Sequence, residues 1–403
     1  MRKVLAGVIL LVIGGLAVAY LSADKDLRNL AANLPTDRDV LFWSIPQRDA
    51  AFRAMDRVSV LADSRAIAAG SEALPLPVGK PLAIDLDVGR YMDEQRTAAL
   101  VIVHNGEIRL EEYGLEFGAE GRWTSFSVAK SFTSTLVGAA INDGYIESIE
   151  DMVSDYIPDL KGSAYDDVSI RHLLTMNSGV RWNEDYEDPN SDVALFNEHT
   201  PDPGLDVTVS YMRRLPREVP AGTRWQYNTG ETNLIGVLVS SATGKTLADY
   251  LAEKIWTPFG MQQNASWLLG VTDHEIAGCC IQAATRDFAR YGLFMLAGGV
   301  IEDSPVLPAD WIANATTKNA DIGMPGKGYG YQWWTYDDGS YAAQGIFGQG
   351  IFIDPNRQLV IASNSNWPRA TDWETVGKQR EAFYQSVQAA LDAEAAASIV
   401  AAD

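Results

Sequence analysis

β-Rich segments near both ends of the sequence, with helical patterns between them, are the feature that most limits the fold of this chain. The segment TAALVIVHNGEIRLEEYG (97–114) has two β-rich runs around Asn105-Gly106, a pair typical of a two-residue hairpin turn. Near the other end, SYAAQGIFGQGIFIDPNRQLVIASNS (340–365) predicts further strands around a turn at Asp354-Pro355-Asn356. We therefore predict an α+β body whose sheet is completed by the C-terminal segment.

Three segments between these strands have the apolar spacing of helices. They are SFSVAKSFTSTLVGAAINDG (125–144), TNLIGVLVSSATGKTLADYLAEKIW (232–256) and TRDFARYGLFMLAGG (285–299). In the first, Asn142-Asp143-Gly144 is a typical helix stop. We expect this first helix to be mostly buried, because apolar side chains recur along it at the helical period.

The N-terminus carries a targeting signal. Arg2 and Lys3 precede the uncharged run VLAGVILLVIGGLAVAYLSA (4–23), which is near the minimum length for a membrane-spanning helix. The basic residues on its short leading side predict a cytoplasmic N-terminus and an exported body. We therefore predict that residues 1–23 are a membrane anchor, or a signal segment if cleavage occurs after Ala17-Val18-Ala19, which would leave the body periplasmic or secreted.

The rest of the chain divides by composition. We predict a stalk and lead-in at 24–94, a catalytic body at 95–390 and an Ala-rich tail at 391–403. The 53 acidic and 32 basic side chains leave a net charge of −21, which repels nucleic acid, so we expect no nucleic-acid partner and membrane contact only through the N-terminal segment. The adjacent Cys279 and Cys280 are expected to pack, since neighbouring cysteines rarely meet disulfide geometry.

Ser127 and Lys130 form an S-x-x-K motif on the first predicted helix. The motif alone is weak, because Ser22 and Lys25 repeat it elsewhere. Residues three apart share a helix face, however, and a lysine in an apolar stretch has its pKa lowered by desolvation. Ser127 could therefore be a nucleophile with Lys130 as its base, or the pair could be an ordinary helix serine beside a surface lysine.

Further segments resemble the serine β-lactamase and penicillin-binding-protein superfamily. VSIRHLLTMNSGVRW (168–182), RWQYNTGETNLIGVLVS (224–240) and AAQGIFGQGIFIDP (342–355) are similar to segments that follow the active serine, in order and spacing. WNEDYEDPNSD (182–192) is similar to a stretch in the branch containing 6-aminohexanoate-dimer hydrolases and class C-like esterases. The resemblance implies a β-lactamase/transpeptidase-like fold, with an antiparallel sheet flanked by helices and a mainly helical subdomain.

The resemblance also implies site residues. Ser127 matches the nucleophile, Lys130 its partner and Tyr227 the tyrosine of the second motif, while the backbone amides of Ser127 and Ile346 match the oxyanion hole. Asn228, Gln344 and Gly345 are the implied substrate-binding residues. Two departures stand out: Thr229 replaces the second motif's asparagine, and Ala343 replaces the third motif's lysine, which faces a substrate carboxylate. We also expect the charge of Lys130 to lower the pKa of Tyr227.

The predicted activity is hydrolysis of an amide or ester by an exported serine hydrolase through an acyl-enzyme, without metal or organic cofactor. A β-lactamase or D,D-peptidase acting on cell-wall peptides, or a non-catalytic envelope protein with the same fold, remain alternatives. A Ser-His-Asp hydrolase is disfavoured because no G-x-S-x-G accompanies His104, His172, His199 or His274. The acidic residues Asp185, Asp188 and Asp192 lack EF-hand spacing, and we interpret their loop as a rim of the substrate site.

Overall fold

The computed structural model describes residues 15, 20–59 and 61–402. Nearly all of the predicted membrane segment 1–23 lies outside these residues, so anchoring and export of the body stay predictions. Within the described part of the chain, no helix combines the length and the apolar character needed to cross a bilayer.

Thirteen strands lie in the described residues and form three antiparallel sheets. Their bounds are β1 Ser64–Ile67, β2 Thr97–His104, β3 Glu107–Tyr113, β4 Arg122–Thr124, β5 Ala265–Leu268, β6 Ile281–Ala284, β7 Val300–Ile301, β8 Ser304–Pro305, β9 Lys327–Tyr329, β10 Trp334–Tyr336, β11 Tyr341–Gln344, β12 Gly350–Asp354 and β13 Leu359–Ser365. The large sheet has the order β3-β2-β13-β12-β11-β10-β9, a second sheet has the order β1-β5-β6-β4, and β7 pairs with β8.

Helices surround these sheets. Their bounds are α1 Lys25–Ala32, α2 Ile45–Ala51, α3 Val88–Gln95, α4 Ala129–Asn142, α5 Val153–Tyr156, α6 Ile170–Leu174, α7 Asp192–Asn197, α8 Val207–Met212, α9 Thr229–Thr243, α10 Leu247–Leu251, α11 Thr285–Leu296, α12 Trp311–Ala315 and α13 Lys378–Ala402. Short 3-10 turns at Phe126–Val128 and Ile346–Gly348 border the site described below.

The large sheet confirms the predicted α+β architecture. Asn105 and Gly106 both have positive φ and join β2 to β3, as their sequence predicts. β13, near the C-terminus, pairs with β2 along its length from Leu359 opposite His104. The C-terminal segment therefore completes the sheet, as expected.

Helices cover both faces of the large sheet. Along β2, Val101 and Val103 face the core that contains α4 and α11, whereas Leu100 and Ile102 pack with apolar residues of α13. This alternation follows the two-residue period of a strand. α13 continues through residue 391 to Ala402, so the Ala-rich tail extends a helix whose first half is packed on the sheet.

The structure divides one predicted helix in two and packs the N-terminal lead-in against the body. The helical pattern 232–256 is interrupted at Gly244, whose positive φ of 68° ends α9, and Thr246 caps the start of α10. The segment 24–94, which we predicted as a stalk and lead-in, contributes Trp43, Phe52 and Met55 to a buried cluster that also contains Phe126 and Phe347 of the body. Its β1 also pairs with β5.

Candidate active site

Ser127 lies in the 3-10 turn immediately before α4, the central buried helix. The preceding Ser125 ties this turn to β6, because its amide donates to the Ile281 carbonyl at 2.8 Å and its hydroxyl accepts from the Ile281 amide at 2.9 Å. Phe126 has a φ of 42° and packs edge-on against Phe52, with ring centroids 4.9 Å apart. A positive φ at a bulky residue is strained, so the surrounding packing holds the backbone beside Ser127 in place.

Lys130 lies one turn along α4 from Ser127. Its Nζ donates to Ser127 Oγ at 3.0 Å and to the Gly278 carbonyl at 2.8 Å, and the residue is only 1% exposed. Burial lowers the pKa of Lys130 to about 8, while the charge of Glu184 opposes the shift. The sequence prediction of a lowered pKa is confirmed, and a useful fraction of this amine is neutral near pH 8.

Tyr227, the third predicted catalytic residue, lies in the segment immediately before α9. Lys130 Nζ lies 5.2 Å from the centroid of the Tyr227 ring. Burial raises the pKa of Tyr227 well above its usual value, the charge of Glu184 adds to this, and the nearby Ser127 side chain opposes it. The prediction of a lowered pKa is wrong, because the cost of desolvating a phenolate outweighs the attraction of the ammonium. Tyr227 is therefore protonated in the folded protein at neutral pH.

The predicted oxyanion position follows β11. Pairing of β11 with β12 ends at Gln344, so the backbone amide of Ile346 takes no part in the hydrogen bonds between these strands. A Cβ on Gly345 would lie 2.7 Å from the Ser125 carbonyl oxygen, which explains the glycine. The glycine thus allows two backbone segments to approach closely, and this approach brings Ile346 beside the turn that carries Ser127.

Two of the predicted substrate-binding side chains are engaged within the protein. Asn228 is the N-cap of α9, where its Oδ1 accepts from the Glu231 amide at 3.1 Å, and it lines neither cavity beside Ser127. Gln344 does reach a cavity wall, but its amide donates to the Tyr336 hydroxyl and accepts from Arg380, both at 2.8 Å. Of the two, only Gln344 is placed to touch a substrate.

The acidic loop supplies residues that the sequence reasoning did not single out. Glu184 accepts hydrogen bonds from the Tyr186 hydroxyl at 2.6 Å and from the Thr229 amide at 2.9 Å. It therefore ties the loop to the start of α9, and Glu184, Asp185 and Tyr186 line a cavity beside Ser127. The geometry agrees with the prediction that this loop forms a rim of the site. In the sequence, the acidic Glu184 close to the aromatic Tyr186 was the signal that could have identified these residues.

The loop opposite Lys130 contains both cysteines. The Gly278 amide donates to Asn233 Oδ1 at 2.8 Å, which holds the carbonyl that Lys130 contacts. Cys279 and Cys280 follow directly; Cys280 lies in the buried cluster that contains Phe126 and Phe347, and Cys279 packs against it, as expected. His172 Nδ1 accepts from the Ser169 amide at 3.2 Å within a capping box, which is a structural role.

Two cavities meet at Ser127. We call the first the apolar cavity, of about 220 Å³, and the second the aromatic cavity, of about 260 Å³. Ser127, Tyr186 and Ile346 line both. In the aromatic cavity the ring of Tyr227 stacks on Trp334 with centroids 5.7 Å apart, and Trp373 lies beyond. The arrangement places a serine hydroxyl, close to an amine and a phenol, at the junction of the two cavities.

A buried carboxyl group, that of Glu231, lies in the first turn of α9, shortly after Tyr227 in the sequence. Glu231 is 1% exposed, and it accepts hydrogen bonds from the hydroxyls of Ser178 and Tyr165. Burial raises the pKa of Glu231 to about 8, and these two hydrogen bonds oppose the shift. The group is therefore protonated in the folded protein at neutral pH.

This carboxyl predicts a pH-dependent stability. Because its folded pKa is raised, its contribution is complete below about pH 4.5 and is lost as the pH rises towards 8. We expect Glu231→Gln to gain stability relative to the unsubstituted protein by roughly 1 kcal/mol per pH unit between pH 5 and 8. Urea unfolding at several pH values measures this, with the exposed Glu112→Gln as control. A difference that does not change with pH would contradict the prediction.

Comparison with known proteins gives consistent matches. The beta-lactamase family model matches residues 85–382. The 6-aminohexanoate-dimer hydrolase of Paenarthrobacter ureafaciens is 28% identical over 298 residues, covering 70% of this chain and 76% of that protein. A Bacillus anthracis structure provisionally assigned as a 6-aminohexanoate-dimer hydrolase superposes with a TM-score of 0.74 at 24% identity, over 87% of this chain and 95% of that one. The structure of a penicillin-binding protein of Bacillus halodurans superposes with a TM-score of 0.58 at 17% identity, over 73% of this chain and 99% of that one.

Proposed function

Because the chain belongs to the beta-lactamase family, we propose that it is a serine hydrolase that cleaves an amide or ester bond through an acyl-enzyme on Ser127. The observation that carries the proposal is the contact of 3.0 Å between Lys130 Nζ and Ser127 Oγ, made by a buried amine whose pKa is lowered to about 8. An amine with that pKa can accept the serine proton near neutral pH. The 6-aminohexanoate-dimer hydrolase that the chain resembles is an amide-cleaving relative.

In the first half of the proposed reaction, Ser127 Oγ attacks the substrate carbonyl carbon and its proton passes to Lys130 Nζ. The amides of Ser127 and Ile346 would stabilise the negative oxygen of the tetrahedral intermediate. Tyr227, protonated because its pKa is raised, then gives its proton to the leaving amine or alcohol as the bond to carbon breaks. The proton held by Lys130 restores the phenol.

In the second half, water attacks the acyl carbon while Lys130 accepts a proton from it. Collapse of the second intermediate releases the acid, and Ser127 Oγ leaves with a proton from the same amine. The cycle returns every proton and needs only these side chains and water.

The charges around the site favour an uncharged ester or amide over a β-lactam or a D-alanyl peptide. Ala343 is buried at the position of the family's lysine, and no Lys or Arg side chain is among the described residues that line the aromatic cavity. The carboxylates of Glu184 and Asp185 are on that wall instead. A substrate carboxylate there would lack a charge-assisted hydrogen bond and would face like charge.

A fluorophosphonate probe tests the proposal. We expect it to add one covalent group to the peptide that contains Ser127, found by mass spectrometry, and to abolish hydrolysis of p-nitrophenyl butyrate in proportion. Ser127→Ala should remain unlabelled, while Ser131→Ala, on the same helix but bonded to the Gln332 carbonyl, should label normally. Full turnover by a folded Ser127→Ala protein would refute the proposal, and faster turnover of nitrocefin than of esters would favour a β-lactamase.

A further inference from the structure

The two cavities at Ser127 are not equivalent with respect to the proton donor. Ser127 and Ile346 line both, so the tetrahedral carbon and its oxygen lie at their junction. Tyr227 lines only the aromatic cavity. A leaving group that receives its proton from Tyr227 must therefore lie on the aromatic side, because proton transfer requires hydrogen-bond reach. The acyl part of the substrate is left with the apolar cavity.

The walls of the apolar cavity have the chemistry of an aliphatic site. They come from the N-terminal segment, from α7 and its preceding loop, and from β5 and the following loop; the apolar members include Leu41, Trp43, Met55, Val193, Phe196 and Leu268. Polar and charged side chains also line it: Asn197, His199, His274, Arg38, Asp206 and Glu275 are among them. Arg38 donates to the Ser59 carbonyl at 3.1 Å, and Glu275 accepts from Arg65 at 2.7 Å. His274 is paired with Asp206 at 2.8 Å, and His199 with the Ser210 hydroxyl at 2.9 Å. Because these two histidines already have partners within the protein, the apolar side chains are the main means of recognition that we infer for this cavity.

We propose that the apolar cavity binds the acyl chain of the substrate and that the protein prefers esters or amides of unbranched aliphatic acids of intermediate length. This rests on the proposed function, since it assigns the two sides of the bond that Ser127 attacks. A volume of about 220 Å³ holds about seven groups of ~30 Å³, the liquid volume of a water molecule. That corresponds to a hexanoyl or octanoyl chain.

A series of p-nitrophenyl esters from acetate to dodecanoate tests the preference, because the leaving group stays constant. We expect kcat/KM to rise about fourfold for each added methylene, as each one leaves water, and to stop rising near octanoate. A flat or falling series with hydrolysis that still depends on Ser127 would overturn this inference and leave the proposed function intact. Absence of Ser127-dependent hydrolysis of every ester would overturn both.

Two variants on α7 test whether the chain-length preference arises in the apolar cavity. Val193→Phe adds volume to the cavity wall, and we expect it to lower the ratio of kcat/KM for octanoate to that for acetate at least tenfold. Phe196→Ala removes volume from the same wall and should move the best substrate towards decanoate. Because overpacking can prevent folding, the second variant keeps the test decisive.

A matched control lies on the same helix. Leu195 is 42% exposed and lines neither cavity, so Leu195→Phe should leave the chain-length profile unchanged. If Phe196→Ala keeps the original profile, or if Leu195→Phe shifts it as much as the cavity variants do, the acyl chain does not lie in this cavity.

Discussion

Replacing Lys130 by methionine should lower kcat/KM for p-nitrophenyl butyrate by about 10³- to 10⁴-fold, the upper part of the range for a lost general base. Methionine keeps an unbranched side chain in the buried space but removes the amine that lies 3.0 Å from Ser127 Oγ. The loss should be large because the same amine serves both halves of the proposed reaction. Thermal unfolding of the variant, measured beside the assay, separates lost chemistry from lost structure.

The pH dependence gives this prediction a second readout. The base must be neutral to accept a proton, so kcat/KM of the unsubstituted protein should rise about tenfold per pH unit below the pKa and level off above about pH 8. Residual activity of Lys130→Met should lack that inflection. The exposed Lys161→Met is a control and should keep both rate and profile. An inflection near pH 8 that survives in Lys130→Met would show that another group is the base.

The second large effect is expected for Tyr227→Phe, which deletes one hydroxyl and keeps the ring stacked on Trp334. We expect turnover of an amide substrate to fall by about 10²- to 10⁴-fold, as for a lost general acid. The fall should be at least tenfold smaller for p-nitrophenyl esters, because p-nitrophenolate is a weak base that leaves without a proton. Parallel assays of a hexanoyl amide and its p-nitrophenyl ester, with the unfolding midpoint, test this difference.

A neighbouring tyrosine provides the control for Tyr227. Tyr329 is 1% exposed, lies in the same aromatic cluster with its ring 6.1 Å from that of Tyr227, and lines neither cavity. Tyr329→Phe should therefore stay within a few fold of the unsubstituted protein on both substrates. Equal losses on amide and ester in Tyr227→Phe would assign the hydroxyl to positioning of Ser127 and not to protonation of the leaving group.

Local sequence was sufficient for elements whose determinants lie within a few residues. The Asn105-Gly106 turn needs only two residues that tolerate positive φ, and the contact of Ser127 with Lys130 follows from their spacing along one helical turn. The lowered pKa of Lys130 was predictable because apolar residues recur along its own helix and indicate that this helix is buried. The order of the motifs along the chain likewise indicated the family.

Features that depend on distant segments were not predictable in this way. The N-terminal lead-in has no pattern of a core, yet Leu41 and Met55 line the apolar cavity because β1 pairs with a strand about 200 residues away. The contacts of Glu184 with Tyr186 and Thr229, and the engagement of Asn228 as a helix cap, likewise exist only after the acidic loop meets α9.

The sequence by itself therefore determined the strand pairing at the hairpin, the central helix and the identities of Ser127, Lys130 and Tyr227 as the candidate reacting groups. Tertiary structure alone decided the raised pKa of Tyr227, against our expectation, and the surroundings of all three groups, with Tyr227 on one side of two cavities. The physical reason is that spacing along a helix is a local property, whereas desolvation and cavity shape are sums over side chains from every segment that packs at the site.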